Sequence, residues 1–382
     1  MQSLKSSFVF THIFNIYDLL LLTTFVLAFF LALALLMQRD RKTSNILLAA
    51  FVVSQGFYAF YSVMLFNEII GPLTTQLFSP YHKVPLLVLY GLQGMLLLWY
   101  ARTMMGESLN INAKTTKVIL ALTFGTLVVN VYSYSYGVDD YQSLNNFLCN
   151  WLLNFCSVVL GIRALLQLKS YESKLPFVHS NLDKHSLSWL IVIAGGFISV
   201  WLLSLLAMTF SWLGAQDIAE ALYLFRHIPP LILMSAMVVF SQTHVLSTLF
   251  QVELPEEKSS ATDSYTVNAK VTEQLEDLMA RVKVYQDPEL RLDGLADSLG
   301  ISPRSLSTLL NKYYHKNFYD FVNAYRIADV RAQLLQQENK QKPVQRIFED
   351  AGFNSKTTFN TLFKKHTGQT PSEYRKHLEL QA

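Results

Sequence analysis

Residues 292–312 read LDGLADSLGISPRSLSTLLNK, and the punctuation of this stretch decides what the C-terminal third of the chain becomes. Leu292, Leu295, Ala296 and Leu299 recur on one face of a short helix that runs into Gly300, a residue free to take a left-handed turn conformation. Ala296 is small where two helices must cross closely. Ser302 then caps a second helix with Pro303 at its first position. The serine oxygen satisfies an orphan N–H there, and the proline lacks an N–H that the helix would not use. Leu306, Leu309 and Leu310 face inward. Two helices joined by a short glycine turn predict a helix-turn-helix.

The arrangement recurs at residues 344–366, VQRIFEDAGFNSKTTFNTLFKKH, with Ile347 and Ala351 before Gly352, Ser355 as cap, and Phe359, Leu362 and Phe363 inward. Between the units, Phe318–Gln336 is helical by pattern, 19 residues or about 28 Å of helix. That approaches the ~34 Å between successive major grooves on one face of DNA. Thr370-Pro371-Ser372-Glu373 opens a last helix with an N-cap, an N1 proline and a capping box. Upstream, Val271, Leu275, Leu278, Val282 and Tyr285 form one apolar stripe, expected to pack on its own domain.

Working outward, the composition changes sharply. The 382-residue chain has a mean hydropathy of +0.26 and a net charge of +3. Residues 1–245 are about 9% charged and residues 246–382 about 26%, so a greasy body precedes a water-soluble one. Intrinsic disorder, a disulfide scaffold and a wholly cytosolic enzyme are poor fits. Cys149 and Cys156 are expected as small buried hydrophobes. Seven apolar runs are long enough to cross a bilayer: Ile16–Met37, Asn45–Phe66, Val84–Met105, Lys117–Tyr134, Asn145–Leu168, Leu187–Trp212 and Glu220–Gln242. The first is too long, and too poor in preceding basic residues, for a cleaved signal peptide. Ten Lys or Arg in alternate loops against two on the other side place the N-terminus outside and the C-terminal body in the cytoplasm.

Polar residues inside the runs are the chemical hints of this half. Arg226 and His227 precede Pro229-Pro230, and Gln55, Gln93 and Asn154 lie in other runs. Either Arg226 snorkels to the outer interface and the amides knit helices together, or Arg226, His227, Asn154 and Gln93 line a pocket favouring an anionic group. No His-Glu-x-x-His, Gly-x-Ser-x-Gly or spaced aspartate pair appears in the runs, and no internal repeat. No enzymatic activity, metal or cofactor is therefore expected.

Residues 271–382 resemble the DNA-binding domain of AraC-type transcription regulators. The likeness is carried by LADSLGIS (295–302), NFYDFVNAYRI (317–327) and above all AGFNSKTTFNTLFKKHTGQTPSEYR (351–375). It implies recognition helices at Ser302–Lys312 and Ser355–His366. Base-reading positions are then Arg304, Ser307 and Thr308 on the first, and Lys356, Thr357, Asn360 and Thr361 on the second. Arg304 has the donors to select guanine and Asn360 to select adenine. Lys312, Lys364, Lys365, Arg375 and Lys376 are placed for phosphates. One position departs from the family: Phe348 stands where a small residue is usual, and it is expected to push the second pair of helices apart or rotate one.

The expectation is an all-α protein: a seven-transmembrane-helix bundle (residues 1–245), a polar linker (246–270) and a double helix-turn-helix domain (271–382). Its expected role is a one-component transcription regulator in a bacterial inner membrane, N-terminus outside, sensing a signal through the bundle. Its partners would be double-stranded DNA, the lipid bilayer, RNA polymerase, a second copy in a homodimer, and a small-molecule or membrane-protein signal. The alternative makes the membrane half a transporter or enzyme reported on by an appended DNA-binding domain.

Overall fold

The computed structural model describes residues 14–37, 43–78, 84–108, 114–135, 144–182, 186–244, 269–339 and 341–381. Every named element among them is a helix; the one strand-like feature is an isolated antiparallel bridge between His179 and Arg291. The chain divides into two compact units. One comprises residues 1–169 and 187–246; the other comprises 170–186 together with 247–382.

The N-terminal unit is built from α1 (Ile16–Leu36), α2 (Thr43–Phe66), α3 (Ile70–Phe78), α4 (Val84–Met104), α5 (Lys114–Ser135), α6 (Leu144–Lys174), α7 (Ser188–Trp212) and α8 (Gln216–His244). Its solvent logic is inverted. Phe29, Phe30, Val192, Phe225 and Ile232 are exposed, whereas Asn45, Gln55, Gln93, Asn154, Ser157, Ser204 and Arg226 are buried. Water would penalise that surface, and hydrocarbon would not. The buried polar groups join helices: Trp201 Nε1 donates to Gln93 Oε1 at 3.0 Å, and Ser157 Oγ donates to the Tyr90 carbonyl at 2.7 Å.

Among the described residues five helices, not seven, are long and apolar enough to cross a membrane: Ile16–Leu36, Thr43–Phe66, Phe147–Phe177, Ser188–Trp212 and Gln216–Phe240. The other two expected spans form helices α4 and α5 but are not among the five. In α5 the described residues include a shorter apolar stretch, Leu120–Val129. In α4, Leu87, Tyr90, Leu97, Tyr100 and Ala101 are buried against protein. The short helix α3 was not anticipated. Cys149 and Cys156 are free thiols.

The C-terminal unit contains α9 (Ala269–Asp277), α10 (Leu292–Ser298), α11 (Pro303–Lys312), α12 (Phe318–Leu335), α13 (Val344–Asp350), α14 (Lys356–Thr367) and α15 (Pro371–Gln381). The expected linker falls, through residue 268, outside the described residues. α12 is the spine, with Asn317 as its N-cap. Phe318, Phe321 and Val322 near its start pack into one core with Leu295, Ala296, Leu306, Leu309 and Leu310. Ile327, Val330 and Leu334 nearer its end pack into another with Ile347, Phe348, Phe359 and Phe363. The upstream stripe joins the first core through Val271, Leu275 and Tyr285, but Val282 is exposed and Met279 is buried instead. A π-helical stretch, Leu278–Val282, follows α9 and shifts the register of the face that points inward.

Phe348 is taken up inside the second pair. It is 4% exposed and stacks on Phe359 at a 4.7 Å centroid distance. The accommodation is a reciprocal change of size. Ala296 and the C-cap Leu299 of the first unit correspond to Phe348 and the C-cap Ala351 of the second, so bulk moves one turn along the same face. The second turn also has one more residue between C-cap and N-cap, Gly352-Phe353-Asn354 against Gly300-Ile301. The backbones of α13 and α14 approach each other less closely than those of α10 and α11, in the direction expected from the sequence. Truncating Phe348→Ala should cost the C-terminal unit about 3 kcal/mol. Hydrogen exchange of the α14 amides in the full chain checks this, and Phe348→Leu should be milder.

Candidate nucleic-acid interface

Both recognition helices start from the serine that the sequence marked. Ser302 Oγ accepts from Ser305 N at 3.1 Å, and Ser355 Oγ accepts from Thr358 N at 3.3 Å. Gly300 (φ +65°) and Gly352 (φ +93°) hold the turns in the left-handed region. Counted from each cap, the fourth, seventh and eighth residues are buried: Leu306, Leu309 and Leu310 in α11, Phe359, Leu362 and Phe363 in α14. The second, fifth, sixth and ninth lie on the opposite side in both helices. They are Arg304, Ser307, Thr308 and Asn311 in the first, and Thr357, Asn360, Thr361 and Lys364 in the second. The two helices thus present the same register outward, although their inward residues differ.

Of these groups Arg304, Asn311, Lys356, Thr357, Asn360 and Thr361 are exposed and Ser307 and Thr308 half-buried. Two hydroxyl protons are already spent, Thr308 Oγ1 on the Arg304 carbonyl at 2.9 Å and Thr361 Oγ1 on the Thr357 carbonyl at 3.0 Å. Arg304 and Asn360 keep their side-chain N–H donors exposed on this side. Asn311, absent from the sequence reading, joins the first face through a 3.3 Å bond to Ser307 Oγ; its equivalence to Lys364 was the available signal.

Lys312 and Lys365 are equivalent positions at the ends of the two helices, and with Lys364 and Lys376 they are exposed. Arg375 is half-buried and donates to the Lys342 carbonyl at 2.9 Å, which ties α15 to the entry of α13. The positive field of this face is felt by His366. Partial burial first, then Lys365 and Lys316, hold its imidazole below the ordinary histidine value. Lys316 is thus a basic neighbour that the sequence reading omitted. In the N-terminal unit, Gln93, Arg226 and His227 line one cavity, whereas Asn154 does not; its Nδ2 lies 3.5 Å from the Trp201 carbonyl.

Residues 295–377 match the family of helix-turn-helix domains. The chain is 28% identical over 104 residues to the regulatory protein SoxS of Escherichia coli K12, covering 27% of this chain and 94% of SoxS. It is 25% identical over 133 residues to the HTH-type transcriptional regulator AlkR of Acinetobacter baylyi, covering 35% of this chain and 42% of AlkR. No solved structure matches. The C-terminal unit carries an AraC-type helix-turn-helix domain.

This AraC-type domain has an additional member, the segment between α6 and α7. Residues 170–186 belong to the C-terminal unit, and they are held at its centre by Arg326. That guanidinium is 1% exposed, and each of its five N–H groups is engaged. Nε donates to the Tyr285 carbonyl at 2.7 Å and Nη2 to the Asp287 carbonyl at 2.7 Å. Nη1 donates to the Ser180 carbonyl at 3.1 Å and to Asn323 Oδ1 at 3.3 Å, and Nη2 also donates to Ser180 Oγ at 3.1 Å. Its cationic carbon lies 5.8 Å from the Phe353 ring, so the second turn rests on the same group. Burial pulls its pKa down to about 10, which leaves it charged at neutral pH.

The segment is stitched in further by Leu292 N to the Val178 carbonyl at 3.0 Å and Ser180 Oγ to the Leu290 carbonyl at 2.7 Å. Sequence reading assigned residues 170–186 to the membrane half, because nothing local in them announces a partner more than 100 residues away. Replacing Arg326→Ala should destabilise the C-terminal unit by about 3 kcal/mol, since several buried acceptors lose their donor together. Ser180→Ala should cost about 1 kcal/mol. Urea-dependent proteolysis of the full chain in nanodiscs measures both, and equal effects of the two would contradict the assigned geometry.

Proposed function

We propose that the chain is a membrane-embedded one-component transcription regulator, in which the helical N-terminal unit senses a signal and the AraC-type domain binds promoter DNA. The observation that carries this reading is the segment 170–186. It runs from the last turn of α6 towards α7 in the chain, yet the hydrogen bonds of Ser180 belong to the DNA-binding unit. A change in the packing of α6 against α7 would therefore act on the domain through covalent connections. The shift of population needs no phosphotransfer.

In this reading the N-terminal unit crosses a bacterial inner membrane an odd number of times. The excess of Lys and Arg in alternate loops puts the N-terminus outside and the DNA-binding unit in the cytoplasm. Arg304 and Asn360 read base edges, with Ser307, Thr308, Lys356, Thr357 and Thr361 beside them. Lys312, Lys364, Lys365 and Lys376 meet phosphates, and Arg375 reaches one with the donors not used on Lys342. RNA polymerase, and a second copy of the chain on an adjacent site, are the protein partners the reading implies.

Full-length protein in nanodiscs should retain a promoter fragment with steep salt dependence. Arg304→Ala should relax sequence preference by about 1–3 kcal/mol at one base pair. Lys365→Ala should weaken all sequences alike and flatten the salt slope by roughly one. Loss of preference in the lysine variant, and not in the arginine variant, would reverse the assignment.

A pH dependence follows from His366. Nearby phosphates favour its protonated form, so its pKa rises on binding and protons are taken up. Affinity should therefore increase as pH falls through the ordinary histidine range, about 6.5. His366→Gln should abolish that increase; fluorescence anisotropy at pH 8 and pH 6 measures it.

A further inference from the structure

Helices α1, α2, α4, α7 and α8 of the N-terminal unit enclose a cavity whose polar lining includes Gln55, Tyr58, Tyr90, Gln93, Ser204 and Arg226, with Thr24 and His227 beside them. Arg226 does not reach outward to an interface; it is 5% exposed. Its Nη1 donates to Ser204 Oγ at 3.1 Å and to Tyr90 Oη at 3.3 Å. The rings of Tyr58 and Tyr223 lie 5.2 and 5.0 Å from its cationic carbon. No carboxylate pairs with it among the described residues, and its Nε has no acceptor.

Two amides share that deficit. Gln93 is 3% exposed and its orientation is fixed, because Oε1 accepts from Trp201 Nε1 at 3.0 Å; the end left without a partner is therefore Nε2. Gln55 is 5% exposed and its Nε2 also lacks an acceptor. The wall thus offers three buried donors and one full positive charge, and is short of acceptors. Each buried donor left unpaired costs about 1–3 kcal/mol, and the unpaired charge costs more. A water molecule could accept from two of the three donors but brings no charge; an anion accepts from all three and neutralises the arginine.

We infer that this cavity binds a small monovalent anion, held by Arg226 Nε and the Nε2 groups of Gln55 and Gln93. The space, about 20 Å³ for the centre of a water-sized particle, limits the occupant to a halide or the carboxylate of a very short acid. Pro229 and Pro230 follow Arg226 within α8 and remove the helical donors for the Phe225 and Arg226 carbonyls. The helix is therefore least braced where the anion would pull on it. The binding stands on this geometry alone; its consequence for DNA rests on the sensor reading proposed above.

The test uses the full chain in nanodiscs in sodium gluconate, titrated at constant ionic strength with sodium bromide or sodium formate. The unfolding midpoint and tryptophan emission are followed, since Trp201 holds Gln93 in place. A saturable rise in the midpoint with a change in emission is expected, weakened at least tenfold in Gln55→Leu and Gln93→Leu and absent in Arg226→Gln. Gln55→Leu keeps the buried charge and its hydroxyl bonds, so it remains informative if Arg226→Gln fails to fold. Response to bromide alone identifies a halide site, and response to formate a carboxylate site. No saturable response, or one of equal strength in Gln55→Leu, overturns the inference. Retention of a promoter fragment is measured in the same samples. Anion binding that leaves DNA retention unchanged keeps the site and removes the sensor reading. Unaltered DNA retention with no anion response removes the site alone.

Discussion

Arg326 carries the organisation of the DNA-binding unit because a guanidinium has no acceptor capacity and cannot be left half-satisfied away from water. Its five N–H groups end on Tyr285, Asp287, Ser180 twice, and Asn323. Those acceptors come from three stretches of chain: the turn before α10, the segment after α6, and α12 itself. Since α12 also supplies one end to each hydrophobic core, the group that fixes its surroundings fixes the spacing of both recognition helices. An ion pair would have tied Arg326 to one carboxylate. Carbonyl acceptors tie it to backbone, so the geometry of the segments is specified as well as their proximity.

The two units solve opposite solvation problems with the same helices. In the C-terminal unit, leucines and phenylalanines are enclosed and the cations face outward, so burial of apolar area supplies the cohesion. In the N-terminal unit the outward face is already apolar, and in the hydrocarbon where we propose that it lies, hydrophobic burial cannot hold the helices together. Cohesion there depends on small-residue contacts and on bonds such as Trp201 to Gln93 or Ser157 to Tyr90. Polar side chains thus join helices throughout the interior of the N-terminal unit, whereas in the C-terminal unit they do so chiefly at the Arg326 cluster.

What was legible in the sequence was what is decided locally. Ser302, Pro303, Ser355 and the glycine turns are set by neighbours within a few residues, and α12 ends within one residue of its expected boundary. The burial of Phe348 was not legible, because its fit depends on pairing two changes, a large residue for Ala296 and a small one for Leu299, with an extra residue in the turn. Residues 170–186 were illegible for a stronger reason: a serine and a short 3₁₀ turn carry no trace of Arg326, 146 residues away. Arg226 and Gln93 were visible as polar residues in apolar runs. That Gln55 joins them, and Asn154 does not, required knowing which helices face the cavity.

The energetics of the segment 170–186 suit regulation better than scaffolding alone. Releasing Ser180 would remove two of the five bonds of Arg326 and the Asn323 bond to the same carbonyl at 3.2 Å, leaving the Tyr285 and Asp287 bonds in place. At about 1 kcal/mol net for each bond, the change is about 3 kcal/mol. That is of the order of the 1–3 kcal/mol that couples sites in allosteric proteins and is smaller than the ~5–15 kcal/mol stability of a typical domain. Loss of the whole Arg326 cluster would loosen three stretches of chain together; loss of the Ser180 contacts would leave the domain folded with α12 less firmly positioned. A regulator needs the second kind of change, because promoter occupancy responds to the spacing of two intact helices and not to whether one of them exists.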